Sequence, residues 1–290
     1  MIRSPFAYTP RRGPLQSASP GAAVAYLGSL VAVAFLYSSP IVLAAAGVAA
    51  VAAGLLAGAP RAVRAALWMG LTLGILIVVV NAIVVSRGET VLARLGEWPL
   101  FGRVDVTAEA VAEGAILALR ALVVLVAFAV YSACVDPDRV LRALRPLAGR
   151  SALTASLISR LVPVAAADAA RLRDAAQLRG VAAAPVGRAE LARRLLAGSL
   201  DRAVDVAATL ELRGYGLGRP GTSRGRRDRS RHDGRFYAAA AAVLLLSIAG
   251  LASGLGGFEA YPTVSVDADA ATVALAALIA LSGLTPRRRG

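Results

Sequence analysis

The chain has 290 residues, 57% of them hydrophobic, with a mean hydropathy of +0.65 and a formal net charge of +14 carried entirely by arginine. Soluble domains run about 45–50% apolar, so the composition points to a membrane, and its excess of Ala, Leu and Val points to helices rather than a barrel. The absence of lysine excludes a P-loop nucleotide site, and a single cysteine (Cys134) with a single histidine (His232) excludes an internal disulfide and a Cys/His metal centre.

Residues 1–20 hold three Arg and four Pro, and the first long apolar run starts only at 21, so no cleavable leader is expected. A membrane-spanning helix needs about 20 apolar residues, within a range of roughly 17–25. Six stretches are candidates: 21–37, 41–59, 65–85, about 112–134, 236–256 and, shortest, about 268–284. "SSP" at 38–40 breaks the first from the second, and "PRAVR" at 60–64 ends the second. The segment 86–109 reads as a mixed-charge loop, with Trp98 and Phe101 as interface anchors.

Charge sets the expected orientation. Arginine is concentrated in the N-terminal tail (Arg3, Arg11, Arg12), the second connection (Arg61, Arg64), the long block 136–235 and the C-terminal tail (Arg287, Arg288, Arg289). The other connections, 38–40, 86–109 and 257–267, are neutral, near neutral or acidic. Six spans with both termini in the cytoplasm place every Arg-rich segment on one side, as the positive-inside rule demands.

The long block is then cytoplasmic. Residues 138–148 read as a short amphipathic helix with Val140, Leu141, Leu144 and Leu147 on one face. A longer helix is expected over 151–179, interrupted by Pro163, with Leu153, Leu157, Leu161 and Val164 in one stripe. Another is expected over 188–213, with Leu191, Leu195, Ala203, Val206 and Leu210 on its apolar side. Residues 218–235 are rich in Gly and Arg and read as a linker. The two long helices end on the same triplet, Leu178-Arg179-Gly180 and Leu212-Arg213-Gly214, 34 residues apart. Glycine closes a helix in the left-handed conformation, and the arginine before it projects from the tip with a rigid fork of donors suited to a carboxylate. A pair of helix caps explains each triplet alone. The repetition on consecutive helices favours two matched handles for acidic grooves on partners.

The stretch "SRLVPVAAADAARLRDAAQLRG" (159–180), followed by "ATLELRGYG" (208–216), resembles the transmembrane T component of energy-coupling factor (ECF) transporters, the CbiQ-like family. "SSPIVL" (38–43), "NAIVVSRGETVL" (81–92) and "DPDRVLRALRPL" (136–147) fall where that family has similar segments, so the resemblance covers roughly residues 20 to 285. It implies an all-α polytopic membrane protein with five or six transmembrane helices and a cytoplasmic helical coupling region. Its domains would be 1–135 (four membrane helices), 136–235 (coupling helices and Arg-rich linker) and 236–290 (C-terminal membrane helices). It also implies a non-catalytic scaffold in the cell membrane. Such a scaffold joins two ABC-type ATPases to an S component, the substrate-binding membrane protein for vitamin or metal-ion uptake. The ATPase-docking residues would be Arg179, Gly180, Arg213 and Gly214, with Gln177 and Glu211 shaping the tips. The family's motifs carry Ala before the arginine, whereas this chain has Leu178 and Leu212, which puts the fit to the partner groove in question.

Within the spans, Arg120 must pair, snorkel or face the bundle interior, with Glu113 seven residues earlier as a candidate partner, and Asn81 suits a helix–helix hydrogen bond. Cys134 reads as a buried thiol and His232 as solvated. Asp201 and Asp205 share a helix face, but Arg202 beside them favours ion pairing over a metal. The arginines of 224–231 suit lipid headgroups of the bilayer rather than nucleic acid. No cofactor, resident metal or catalytic residue is expected. A self-sufficient permease stays open as an alternative but lacks a polar cavity in the spans. A membrane-embedded enzyme lacks a cluster of catalytic acids, His or Cys.

Overall fold

In the computed structural model the described residues are 8, 13–85, 88, 90–98, 102–148, 150–178, 187–212, 230–259, 265–266 and 269–286. They form two compact units, Met1–Val140 with Asp228–Gly290, and Leu141–Arg227. The first contains the helices α1 (Pro14–Ser17), α2 (Pro20–Leu36), α3 (Pro40–Leu56), α4 (Pro60–Val84), α5 (Ala108–Cys134), α9 (Asp233–Ala252) and α10 (Ala270–Ser282). Between α4 and α5 lies a hairpin of β1 (Val91–Trp98) and β2 (Gly102–Thr107), and between α9 and α10 a shorter one of β3 (Phe258–Glu259) and β4 (Ser265–Val266). The helix α6 (Pro137–Ala148) leads into the second unit, which holds α7 (Arg150–Gln177) and α8 (Arg188–Leu212).

Proline opens these helices rather than ending them. Pro20, Pro40 and Pro60 each occupy the first turn of α2, α3 and α4, where the missing N–H is one the helix would not have used. Ser19 caps α2 by accepting from the Ala22 amide at 3.3 Å, and Thr107 caps α5 by accepting from the Ala110 amide. The third span therefore starts at Pro60, and Arg61 and Arg64 are exposed in its first turns instead of forming a connection.

Helices α4, α5 and α9 are long and apolar enough to cross a membrane, whereas α2, α3 and α10 are shorter apolar helices. At 17 residues, α2 and α3 meet the lower limit for a span of about 17–25, and α10, at 13, falls below it. The protein is an all-α polytopic membrane protein whose strands are confined to its connections. The segment 86–109 is thus a correction: it holds an antiparallel hairpin, with Val91 opposite Thr107 and Trp98 opposite Gly102. Trp98 lies in β1, and Phe101 lies outside the described residues. The hairpin is tied to α5 by the Ala108 amide on the Thr90 carbonyl and by the Thr90 amide on the buried Glu109 carboxylate at 3.1 Å.

Close packing is made by small residues. A Cβ on Gly54 would lie 2.5 Å from side-chain methyls of both Val63 and Val130, and a Cβ on Gly114 would meet the α4 backbone at Val78 at 3.1 Å. This is how membrane helices gain van der Waals contact without a hydrophobic drive between them. Polar groups then fix register. Asn81 Nδ2 donates to the Ala110 carbonyl at 2.8 Å between α4 and α5. The Tyr26 hydroxyl donates to the Ser282 carbonyl at 2.9 Å, and the Tyr37 hydroxyl to the Ser247 carbonyl at 2.6 Å, so α2 holds both α9 and α10.

Arg120, near the middle of α5, caps the end of α2. Its Nε donates to the Ala34 carbonyl at 2.7 Å, and its Nη2 to the Tyr37 carbonyl at 3.2 Å and the Ser38 hydroxyl at 3.4 Å. Its guanidinium carbon also lies 5.9 Å from the centre of the Phe35 ring. These contacts replace the pairing expected with Glu113, because the last carbonyls of α2 have no acceptor role left inside the helix and sit within reach.

Two stability outcomes follow from this packing. Gly54→Ala forces two valines apart and should cost about 1–3 kcal/mol, read as a lower thermal unfolding midpoint in detergent. Arg120→Leu strands the Ala34 and Tyr37 carbonyls, at about 1–3 kcal/mol per buried unpaired group. Its midpoint should fall, with Arg120→Lys between it and wild type; equal midpoints would show that the cap contributes nothing.

Candidate functional site

The second unit is built from two long helices of mixed polarity. At the start of α8, Glu190 accepts from Arg194 Nε at 2.9 Å and from Arg193 Nη1 at 3.4 Å, the i+4 and i+3 pairs a helix surface favours. The hydrogen bond from Arg194 lowers the Glu190 pKa, against desolvation, which raises it, and with the two guanidinium charges adding to the lowering. Between the helices, Arg202 Nη2 of α8 meets Asp168 Oδ2 of α7 at 2.6 Å, and Arg171 reaches the other carboxylate oxygen at 3.5 Å. Arg202 therefore pairs across to α7 rather than with Asp201 or Asp205, both of which are exposed. No cluster of three metal-ligating side chains occurs among the described residues.

On α8, Leu191, Leu195, Val206 and Leu210 are half-buried, as expected of an apolar side, but Ala203 is exposed. A second stripe was not anticipated. Leu196, Leu200 and Val204 follow at i+4 intervals, with Leu212 eight residues further on, and they are 63%, 65%, 66% and 89% exposed. The signal was present in the sequence: α8 carries apolar residues on two faces, and only one of them can be turned to α7.

The tips of the two helices are alike. Leu178 follows the last turn of α7, its amide bonded to the Asp174 carbonyl at 3.1 Å, and is 87% exposed; Leu212 ends α8 at 89%. They are the two most exposed large apolar residues among those described. Glu211 is exposed on the last turn of α8, and Gln177 is the last residue of α7. Arg179, Gly180, Arg213 and Gly214 lie outside the described residues. Asn81 and Arg120 belong to the packing of the membrane unit, not to the unit that holds these tips.

Around the ends of the insertion the membrane unit carries buried polar groups. Cys134 is a buried thiol, and His232 is half-buried rather than solvated, preceding the first turn of α9. Tyr8 stands near the start of α6, where its own burial and the Asp136 carboxylate raise its pKa against the lowering effect of Arg139. Asp233, only 8% exposed, accepts from the Ser19 amide at 2.7 Å and the Ser230 amide at 3.0 Å. Nothing in the local sequence pointed to Asp233, because its principal partner lies 214 positions away.

No individually curated protein gives a significant match to the chain. Residues 12–223, however, match the CbiQ family, described as cobalt transport protein. That match takes in α1 to α8, including both long helices of the second unit, and stops before α9. With most of its length matched and its apolar helices stacked as a multi-pass bundle, the chain belongs to the CbiQ cobalt transport protein family and is a membrane component of transport.

Proposed function

We propose that the protein is the scaffold subunit of an ATP-driven importer of the energy-coupling factor type. It would join two cytoplasmic ABC-type ATPases to a separate substrate-binding membrane protein, the S component, for uptake of cobalt or another small nutrient. Hydrolysis takes place on the ATPases. Their closure pushes the tips of α7 and α8, and the membrane helices pass the movement to the S component, which changes the side its site faces. Arg179 and Arg213 engage acidic grooves on the ATPases, Gly180 and Gly214 let the chain turn away behind them, and Gln177 and Glu211 border the contact. Both termini and the second unit face the cytoplasm, in line with the arginine distribution.

The observation that carries this reading is the matched pair of exposed leucines. Burying a leucine side chain is worth about 1.5–3 kcal/mol, and here two are held in water at equivalent helix ends, each directly before an arginine. An apolar knob beside a cation is what a groove with a greasy floor and an acidic rim would recognise.

Co-purification tests it. The chain, expressed with two candidate cassette ATPases and captured in detergent, should retain both. Arg179→Glu with Arg213→Glu should release them, since each reversal sets like charges against the groove, and Leu178→Ser with Leu212→Ser should weaken retention at least about tenfold. If wild type retains no ATPase, or both double variants bind as wild type does while still folded, the tips are ordinary helix caps.

A further inference from the structure

The second unit is joined to the membrane unit by two stretches of chain, one leaving through α6 and one returning to α9. Each is fastened at the point of attachment, and both fastenings fall on one short segment. Arg139, in the first turn of α6, donates from Nη1 to the Gln16 carbonyl at 3.0 Å. Its place is fixed by Asp136, whose carboxylate accepts from the Asp138 amide at 2.9 Å and whose carbonyl accepts from the Arg139 amide. Asp233, in the first turn of α9, takes the Ser19 amide on one carboxylate oxygen and the Ser230 amide on the other.

The segment that receives these bonds is not free to yield. Leu15, Gln16 and Ala18 are 0%, 7% and 3% exposed, so residues 14–18, apart from the exposed Ser17, are sunk into the end of the bundle. Ser19, whose amide Asp233 holds, is also the N-cap of α2. Arg235, two residues further along α9, ties the same end to the Thr285 carbonyl beyond α10 at 3.0 Å. Bonds with one ionised partner are shorter and stronger than neutral ones, and both fastenings are of that kind.

We propose that residues 14–19 are a clip, and that Arg139 and Asp233 are positioning residues which fasten both ends of the insertion to it. A displacement of the second unit is then delivered to the first turn of α2 instead of being lost in the connections. The clip's role in transport rests on the coupling function proposed above; its mechanical linkage does not. Ordinary end-capping would place each bond where its own helix needs it. Here two ends far apart in sequence grip one segment of six residues whose last member starts a membrane helix.

The experiment has two measurements. In the first, the full-length chain in phosphatidylethanolamine/phosphatidylglycerol nanodiscs is compared by hydrogen–deuterium exchange with Arg139→Gln and Asp233→Asn. A clip links its two fastenings, so either substitution should speed exchange at 14–24 and also at the opposite attachment by at least about fivefold. Asp233→Asn should loosen 137–141, and Arg139→Gln should loosen 230–237. Changes confined to each variant's own surroundings would overturn the proposal. In the second, cells expressing the chain with its ATPases and membrane partner are assayed for uptake of radiolabelled Co²⁺, and the purified complex for ATP hydrolysis. Uptake should fall at least about tenfold with hydrolysis held within about twofold, and Arg139→Lys or Asp233→Glu should restore part of it. Uptake and hydrolysis falling in step, or uptake unchanged, would remove the clip from transport. The first measurement needs no partner, so a failure of wild type to bind ATPases would sink the docking function and leave the clip to be judged by exchange alone.

Discussion

A short helical hairpin beside a longer helix imposes the governing constraint on the membrane unit. Helices α2 and α3 rise only about 25 Å at 17 residues each, against about 40 Å for the 27 residues of α5. Their connecting turn closes beside Arg120, near the middle of α5, where the last carbonyls of α2 need donors from outside the helix. The Arg120 guanidinium supplies the donors, and in doing so spends its own charge on backbone dipoles at the negative end of α2. One side chain thus resolves two problems: an arginine in a membrane helix, and a helix end whose carbonyls lack partners inside the helix.

With that turn secured, α2 becomes the piece around which other helices gather. Nine of its residues are buried, and its Tyr26 and the Tyr37 that caps its end reach α10 and α9 through hydroxyl-to-carbonyl bonds. Tyr26 also packs on Phe236 of α9, ring centres 5.6 Å apart and tilted by 52°. Helix α4 has the opposite character. It presses its glycine side to α5 and leaves Trp68, Leu71, Ile75, Leu76, Val79 and Val80 facing outward, a surface suited to lipid or to another membrane protein. The unequal burial divides the bundle into an inner helix that holds neighbours and an outer one that meets the bilayer.

The second unit is held by different forces. Among the described residues its two helices share a half-buried apolar seam and one close ion pair, Asp168–Arg202, where burial is partial and water screens the charges. A helix pair stabilised this lightly does not bury its remaining apolar residues by itself, and the exposed stripe of α8 with the leucines at both tips is the consequence. The same economy that leaves the unit incomplete alone leaves it free surface to meet partners.

The sequence by itself determined which stretches form apolar helices and which form amphipathic ones, because run length and apolar content are local properties that a bilayer reads directly. It also determined which segments carry the arginine excess, and it showed the repeated Leu-Arg-Gly ends, since both are written in the order of residues. It did not determine where each helix begins: Pro60 and its following arginines looked like a connection, and only the helix that forms there shows proline in the position where its missing N–H costs nothing. The hairpin at 91–107 escaped notice because its alternation is short and irregular, with two register shifts that break the period of two. Tertiary structure alone decided that Arg120 serves α2 and not Glu113, that Arg202 crosses to Asp168, which side of α8 stays uncovered, and that Asp233 meets Ser19. Each of these depends on how far one helix is slid along another. A side chain's partner is set by that depth and register, and a periodic pattern within a single helix carries no information about either.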